Sequence, residues 1–377
     1  MPQTEVAVAS GTIRVLVVDD SAVVRGLISR HLAAENGLTV VGTAANGELA
    51  LNELGRSEVD VVVLDIEMPV MDGLTALKHI VARYPRIRVI MASTLTRRNA
   101  EISLTALNLG AADYVAKPES GLGSAEEFQR ELASKVRALA PRRRPVPAAT
   151  VTAAVPVRHA PFPAPAAALR PASPVPVHGT RPLKSRPGII AIGSSTGGPP
   201  ALMQLFESLR GAVDQPILLT QHMPATFTAL LAEQLSRVGD RPCAEGKDGE
   251  RIVAGRCYVA PGGWHMVVAR DGAHPILRLN QEPPESFCRP AVDPMFRSVA
   301  KVYGSSVLGV VLTGMGADGA RGCEAIVQAG GHFIVQDEAS SVVWGMPGAA
   351  AATGLADQIL PLNQVGPWVR RISGMTP

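Results

Sequence analysis

A proline-rich segment divides this 377-residue chain into two parts. Residues 141–186 hold 11 of the 31 prolines and eight Lys or Arg residues, and they contain no Asp or Glu. Such a composition offers few backbone donors and little apolar surface to bury, so it predicts an extended linker. We therefore expect a disordered tail (residues 1–10), a first domain (11–139), a linker (140–186) and a second domain (187–377).

The composition outside the linker excludes several classes of protein. The net charge of +3 comes from the linker, because the rest of the chain has 28 basic residues against 33 acidic ones. This balance and an aromatic content of 4% argue against a nucleic-acid partner. We find no run of about 18 apolar residues and no signal-peptide pattern, so we expect no membrane insertion. Four cysteines without C-x-x-C spacing indicate reduced thiols in a cytoplasmic protein.

Short apolar runs alternate with helical patterns in both domains, which predicts doubly wound α/β folds with mainly parallel sheets. Ser21 is a predicted N-cap of the first helix. The turn-rich residues 243–284 predict antiparallel hairpins inserted into the second domain. The predicted strands are Ile13–Val18, Val61–Leu64, Val89–Ala92, Tyr114–Ala116, Ile189–Ile192, Ile217–Thr220 and Val307–Leu312.

Polar side chains end four strands of the first domain. Asp19 and Asp20 follow the first run, and Asp65 ends the third strand. Ser93 and Lys117 end the next two strands. Any one strand-end Asp is usually a helix cap, but the carboxyl ends of parallel strands share one rim. Three carboxylates there predict a Mg²⁺ site, and a hydroxyl with an ammonium group suits a phosphoryl group.

The order of these motifs resembles the receiver domain of two-component response regulators. The matching stretches are D-D, L-D-I-E-M-P-V-M-D-G, M-A-S and Y-V-A-K-P, within residues 11–139. The resemblance implies a five-stranded parallel sheet and a histidine kinase that phosphorylates Asp65. It also implies Mg²⁺ bound by three carboxylates and the Glu67 backbone carbonyl. Ser93 and Lys117 would sense the phosphoryl group, and Tyr114 would reorient on activation. The implied carboxylate ligands are Asp19, Asp20 and Asp65.

Three side chains suited to acyl transfer end strands of the second domain. Ser195 is central in G193-S-S-T-G197, which fits the nucleophile-elbow pattern, although such turns also bind phosphate. His222 follows the second strand, and Asp318 follows a later one. Each has an ordinary alternative, a structural histidine and a helix N-cap respectively. Together they supply a nucleophile, a base and a carboxylate that orients the base. The order Ser, His, Asp differs from that of α/β-hydrolases.

Longer stretches of the second domain resemble the chemotaxis protein-glutamate methylesterases. They are IGSSTGGP, TQHMP, YVAPGGWHM, CRPAVDPMFRSVA, LTGMGADGA and VVWGMPGAA. The resemblance implies hydrolysis of glutamate γ-methyl esters on the cytoplasmic helices of transmembrane chemoreceptors, with release of methanol, and often deamidation of receptor glutamines.

The same resemblance assigns roles to individual residues. It makes Ser195 the nucleophile, His222 the base and Asp318 the group that orients it. It also makes the Met315 backbone N–H an oxyanion donor, and it implies no cofactor for the esterase. Ser194 remains an alternative nucleophile, and Thr196 a support for the histidine. We interpret two further histidines as structural; they are His265 and His332.

The domain order suggests control of the esterase by phosphorylation. We expect the unphosphorylated receiver to cover the esterase rim and phosphorylation of Asp65 to loosen that contact. Two alternatives remain: a phosphorylation-dependent adaptor without activity, and an esterase or amidase that serves another pathway.

Overall fold

The computed structural model describes residues 12–94, 96–117, 122–141 and 186–374. The side chains of residues 122–124 and 127 are not described. The predicted tail lies outside the described residues, as does the predicted linker apart from its ends. Among the described residues, no helix is both long and apolar enough to cross a membrane.

The first domain is a five-stranded parallel sheet in the order β2-β1-β3-β4-β5, flanked by five helices. Its strands are β1 (Ile13–Val18), β2 (Leu38–Ala44), β3 (Val61–Asp65), β4 (Arg88–Ser93) and β5 (Asp113–Ala116). Its helices are α1 (Ala22–Ala34), α2 (Gly47–Leu54), α3 (Gly73–Arg83), α4 (Arg97–Asn108) and α5 (Leu122–Leu139).

The predicted strands of this domain are confirmed, and the sequence analysis had not located β2. All five residues of β3 are buried, as expected for a central strand covered on both faces. The edge strand β2 is half-buried along most of its length, so it has no continuous apolar run. Ser21 caps α1, because its hydroxyl accepts a hydrogen bond from the Val24 N–H.

The second domain is built on seven parallel strands in the order β14-β13-β12-β6-β7-β9-β8. The strands are β6 (Ile189–Ser194), β7 (Ile217–Gln221), β8 (Cys243–Glu245), β9 (Cys257–Val259), β12 (Val307–Val311), β13 (His332–Gln336) and β14 (Gln358–Leu360). The helices are α6 (Gly198–Leu209), α7 (Ala225–Gly239), α8 (Val292–Tyr303), α9 (Ala320–Gln328), α10 (Met346–Ala352) and α11 (Leu362–Ser373), with a 3₁₀ turn at Gly304–Ser306.

The prediction of antiparallel hairpins over residues 243–284 is correct for only one pair of strands. Strands β10 (His265–Asp271) and β11 (His274–Asn280) form an antiparallel hairpin. Strands β8 and β9 instead extend the parallel sheet beside β7. They are three residues long, and the turns around them gave the stronger sequence signal.

The two domains are packed together. Helix α4 of the first domain contacts α6 and α7 of the second. One continuous cluster of buried apolar side chains contains residues of both domains. The carboxyl ends of β12, β6 and β7, three adjacent strands, lie at the edge of the second domain where the predicted catalytic residues follow.

Candidate active site and phosphorylation site

Ser195 lies in a tight turn between β6 and α6. The turn is held by backbone hydrogen bonds from Ser195 N–H to the Thr313 carbonyl and from Gly198 N–H to the Ser195 carbonyl. Gly197 has φ of +75°, and a Cβ there would lie 2.5 Å from the Val342 side chain. Glycine is therefore needed at this position. The turn sets Ser195 just before the N-terminus of α6, whose free N–H groups favour negative charge.

Three adjacent hydroxyl groups in this turn have different surroundings. The Ser194 hydroxyl is fully buried and donates to Gln221 Oε1 at 2.7 Å. The Thr196 hydroxyl donates to Asp113 Oδ2 of the first domain at 2.7 Å. Among the described residues, the half-buried Ser195 hydroxyl has no hydrogen-bond partner. The structure therefore favours Ser195 over Ser194 as the residue free to react.

His222 follows β7, the strand next to that of Ser195. Ser194 and Gln221 are register partners on the two strands, and the His222 N–H donates to the Ser194 carbonyl at 3.2 Å. Ser195 is therefore the first residue after β6, and His222 is the first residue after the adjacent strand β7. The imidazole Nε2 lies 2.7 Å from Asp318 Oδ2, which leaves Nδ1 as the nitrogen for proton transfer.

The Asp318 carboxylate is nearly completely enclosed and has several donors. Besides His222, it accepts from the backbone N–H groups of Val292 (2.6 Å), Asp293 (3.0 Å) and Gly319 (2.9 Å). Burial would raise its pKa, but the imidazole and these N–H groups outweigh burial and lower it. Asp318 therefore binds the first N–H groups of the distant helix α8 and pairs with the imidazole. It is not an ordinary N-cap of the helix that follows it, because α9 has no side-chain cap.

Two side chains raise the pKa of His222. Burial alone would lower it, but the hydrogen bond to the Asp318 carboxylate, together with the nearby sulfur of Cys288, raises the pKa to about 10. Cys288 is half-buried and was not singled out in the sequence analysis. The imidazolium form is thus strongly stabilised beside the nucleophile.

Met315 follows β12 and lies beside the nucleophile turn. The loop carries Gly314, where a Cβ would lie 2.9 Å from the Ser195 Cβ. Only glycine allows this close approach of the loop to Ser195. The Met315 side chain packs against a buried cluster of the first domain that also includes Val343. The described contacts do not test its predicted oxyanion role.

The other two histidines have structural hydrogen bonds. The His265 ring lies 3.2 Å from the Pro283 carbonyl and accepts from the Ala291 N–H. The His332 ring lies 3.1 Å from the buried Asp357 carboxylate. These contacts agree with the structural interpretation of both residues.

The first domain gathers its acidic residues as expected. One ligand oxygen from each of Asp19, Asp20 and Asp65 lies within 4.8 Å of the others. Lys117 Nζ lies 2.7 Å from both Asp19 Oδ2 and Asp65 Oδ1. Burial raises the pKa of Asp65, and Lys117 opposes that shift. Burial would lower the pKa of Lys117, but its two carboxylate partners raise it.

The donor set fits Mg²⁺. All the side-chain ligands are hard carboxylate oxygens, and Asp20 is exposed, so its oxygens are accessible to an ion that keeps several waters. A cleft of about 430 Å³ opens beside the cluster. It is lined by Asp20, Glu67 and Arg98 among others.

The predicted sensing residues connect the acidic cluster to the second domain. The buried Ser93 hydroxyl lies 3.0 Å from the Ser103 hydroxyl on α4. Tyr114 is buried and stacks on Phe227 of α7, with ring centroids 4.3 Å apart. In this arrangement neither Ser93 nor Tyr114 faces solvent, and each contacts an element at the domain boundary.

Asp113 was missed by the sequence analysis and joins the two domains directly. Its carboxylate accepts from the Thr196 hydroxyl and lies 3.2 Å from Lys135 Nζ. Thr196 is the neighbour of Ser195, so the first domain bonds to the nucleophile turn itself. No motif marks Asp113, because its role depends on how the domains pack.

Comparisons with known proteins agree with both halves of the chain. The CheB methylesterase family matches residues 190–369, and the response regulator receiver domain matches residues 15–122. A relative from Paramagnetospirillum magneticum, named protein-glutamate methylesterase/protein-glutamine glutaminase 1, is 52% identical and aligns over 97% of both chains. A relative from Rhodospirillum centenum, named protein-glutamate methylesterase/protein-glutamine glutaminase of group 2 operon, is also 52% identical, over 97% of this chain and 95% of its own. The crystal structure of the Thermotoga maritima CheB methylesterase catalytic domain is 34% identical, with a TM-score of 0.48, and covers 49% of this chain and 98% of that one.

Proposed function

Because this chain belongs to the CheB methylesterase family and carries a response regulator receiver domain, we propose a phosphorylation-activated hydrolysis of glutamate γ-methyl esters on chemoreceptors. The proposed catalytic residues are Ser195, His222 and Asp318. The observation that carries this proposal is the 2.7 Å contact between His222 Nε2 and Asp318, on the strand end next to that of Ser195.

Acylation begins when His222 Nδ1 takes the proton of the Ser195 hydroxyl. The serine oxygen attacks the γ-carbonyl carbon of the esterified glutamate, and the resulting imidazolium is stabilised by Asp318. The proton on His222 then passes to the methoxy oxygen, so methanol leaves and an acyl-enzyme remains. The strongly raised pKa of His222 favours this imidazolium stage.

Water completes the cycle by the same groups. His222 takes a proton from water, which attacks the acyl carbon and releases the glutamate carboxylate and the serine hydroxyl. A glutamine side chain would follow the same path with ammonia as the leaving group, in line with the relatives' second name. The oxyanion of each tetrahedral stage would bind the Met315 N–H and the N-terminus of α6.

The contacts between the domains support inhibition by the unphosphorylated receiver. The receiver bonds to Thr196 through Asp113, stacks on Phe227 through Tyr114, and packs on Met315 and Val343. These contacts border the nucleophile turn on several sides. A bulky protein substrate would have to displace the receiver before its ester reached Ser195.

The hydrogen bond between Ser93 and Ser103 suggests how phosphorylation loosens the receiver. Mg²⁺ bound by the acidic cluster would neutralise part of the charge of a phosphoryl group on Asp65. The phosphoryl oxygens would recruit the Ser93 hydroxyl, which then leaves Ser103 on α4. Because α4 packs on α6 and α7, its release weakens the contact between the domains.

The proposal specifies partners and location. A histidine kinase would supply the phosphoryl group, and the substrates would be the cytoplasmic helices of methylated chemoreceptors. Both partners place the protein in the cytoplasm, where its four free cysteines would stay reduced. We propose no nucleic-acid partner and no cofactor for the esterase domain.

The two alternative functions differ in measurable ways. A non-catalytic adaptor would not react with a fluorophosphonate probe, whereas a methylesterase would be labelled once its receiver is released. An esterase of another pathway would label equally but would release no methanol from methylated chemoreceptors.

The test combines labelling with methanol release. We expect a fluorophosphonate probe to label the phosphorylated protein, and Ser195→Ala to abolish both labelling and methanol release from methylated receptors. Ser194→Ala is the matched control, because this neighbouring hydroxyl is bonded to Gln221, and it should keep labelling. Labelling of Ser195→Ala at the wild-type rate would overturn the assignment.

A further inference from the structure

A tight turn beside His222 presents a fully exposed aromatic side chain. Glu285 and Cys288 exchange both backbone hydrogen bonds, at 3.2 and 2.9 Å, so Ser286 and Phe287 are the two central residues. We call residues 285–288 the Phe287 turn. Phe287 is 96% exposed, the highest exposure among the large apolar residues that the structure describes.

The conformation of this turn is unfavourable for its sequence. Ser286 has φ of +51° and Phe287 has φ of +62°, which is the left-handed region. Such two-residue turns are normally built from Gly, Asn or Asp, because other side chains are strained there. Phe287 therefore carries both backbone strain and full exposure of an aromatic ring to water. Strain of this kind is typical of functional sites.

The base of the turn is rigidly held. Glu285 forms a two-pronged ion pair with Arg297 on α8, at 3.0 and 2.5 Å. Arg289 donates to the Gln281 and Glu282 carbonyls, each at 3.1 Å. The aromatic ring is thus carried by a fixed support.

The turn adjoins the catalytic residues. The segment after the turn reaches the catalytic residues, because the Val292 N–H donates to Asp318 Oδ2 at 2.6 Å and the same oxygen lies 2.7 Å from His222 Nε2. The neighbouring loop also bonds to this segment, through Gly263 N–H and the Arg289 carbonyl, and it carries the partly exposed Trp264. The chain has only 4% aromatic residues, yet two exposed ones lie on the His222 side of the site.

We propose that Phe287 is a specificity residue that binds an apolar side chain of the substrate protein, next to the esterified glutamate. The proposal rests on the proposed function. A glutamate whose ester reaches Ser195 has neighbours about 5–6 Å away on the same helix face, one turn along. The Phe287 turn belongs to the segment that bonds to Asp318 through the Val292 N–H, so it is placed on the side of the site where such a neighbour would lie. Because Phe287 is exposed while the receiver is in place, this contact is available in both states of the switch.

The test compares two substrates with the intact phosphorylated protein. One is a methylated receptor protein, and the other is a short peptide with one glutamate γ-methyl ester flanked only by Gly and Ser. The measured quantity is the ratio of kcat/KM for the receptor to kcat/KM for the peptide. We expect Phe287→Ala to lower this ratio about 5- to 20-fold, mainly through KM, since an apolar contact is lost. Phe287→Leu should restore most of it.

Two further variants separate binding from folding. Phe287→Gly should lower the ratio equally while raising the Tm by roughly 1–3 °C, because glycine relieves the strain. Val253→Ala is the matched control, since Val253 is an exposed apolar residue on another loop of the same domain, and its ratio should stay within about twofold of wild type.

Two results would overturn the role of Phe287, and a third would refute the proposed function. An unchanged ratio in Phe287→Ala would overturn the role of Phe287 but leave the esterase intact. A lower molecular mass of Phe287→Ala by light scattering would show that the turn joins two copies of the chain, which also overturns it. Absence of methanol release from either substrate by the wild-type protein would instead refute the proposed function.

Discussion

At the scale of single residues, Asp113 links the receiver domain to the nucleophile turn. It accepts a hydrogen bond from Thr196, the neighbour of Ser195, and it also pairs with Lys135. Hydrogen bonds to a charged acceptor contribute about 1.5–3 kcal/mol, so this single contact is a large part of any interface that must open on signalling.

We expect Asp113→Asn to raise the activity of the unphosphorylated protein. The amide is a weaker acceptor than the carboxylate, so the closed state loses about 1 kcal/mol and basal methanol release should rise about fivefold. Glu131→Gln is the control. It removes one negative charge next to Lys135, as Asp113→Asn does, but Glu131 lies on α5 and does not bond to Thr196. Equal basal rates in Asp113→Asn and wild type would contradict the role of this contact.

The pH dependence of hydrolysis should reflect the raised pKa of His222. Only the neutral imidazole can accept the serine proton, and Asp318 and Cys288 favour the charged form up to about pH 10. We therefore expect kcat/KM of the phosphorylated protein to keep rising with pH above 8. Cys288→Ala removes one of the two groups that raise the pKa, so its profile should move to lower pH.

If the profiles of wild type and Cys288→Ala had the same midpoint, Cys288 would not influence His222.

Most of the candidate site residues could be predicted from the sequence, but the contacts between the two domains could not. The acidic cluster and the His222–Asp318 pair could be predicted because each residue follows a strand whose carboxyl end has a fixed location. Asp113 and Cys288 could not, because their partners depend on the packing of distant segments.

At the scale of secondary-structure elements, α4 is the element most affected by phosphorylation in our proposal. Its Ser103 hydroxyl contacts Ser93 on one side, and the helix packs on the second domain on the other. A hydrogen bond of this kind contributes about 1 kcal/mol, enough for a fewfold change in an equilibrium.

We expect Ser103→Ala to raise basal methanol release about two- to fivefold without changing the phosphorylated rate. The variant frees the Ser93 hydroxyl and so removes a contact of the closed state. Thr105→Ala is the control, because Thr105 bonds back to Glu101 on the exposed side of the same helix. A basal rate in Ser103→Ala equal to that of Thr105→Ala would contradict the coupling through α4.

Elements with continuous apolar runs could be predicted, and short or half-exposed ones could not. Strand β3 is buried throughout and was found, whereas β2 at the sheet edge has a mixed sequence. Strands β8 and β9 were wrongly assigned to hairpins because their three residues give no periodicity between strong turn signals. Their parallel pairing comes from contacts with β7, distant in sequence.

At the scale of the whole molecule, the chain joins a receiver domain to a methylesterase domain through a buried interface. A phosphoryl group adds about two negative charges, which can shift such an equilibrium by a few kcal/mol at most. Activation should therefore be graded.

Removal of Mg²⁺ tests the switch separately from the esterase. With EDTA present we expect a phosphoryl donor to give no activation, because the two other carboxylates beside Asp65 would disfavour a phosphoryl group without the cation. Basal hydrolysis should be unchanged, since the esterase is proposed to need no metal. Loss of basal methanol release in EDTA, restored by added Mg²⁺, would show that the esterase itself needs the metal and would contradict this prediction.

The most direct measurement is methanol release from methylated receptors by the intact protein, with and without a phosphoryl donor. We predict a clear increase with the donor in wild type, no increase in Asp65→Asn, and no release by Ser195→Ala under either condition. Equal rates with and without the donor, while mass spectrometry shows that Asp65 is phosphorylated, would contradict the account.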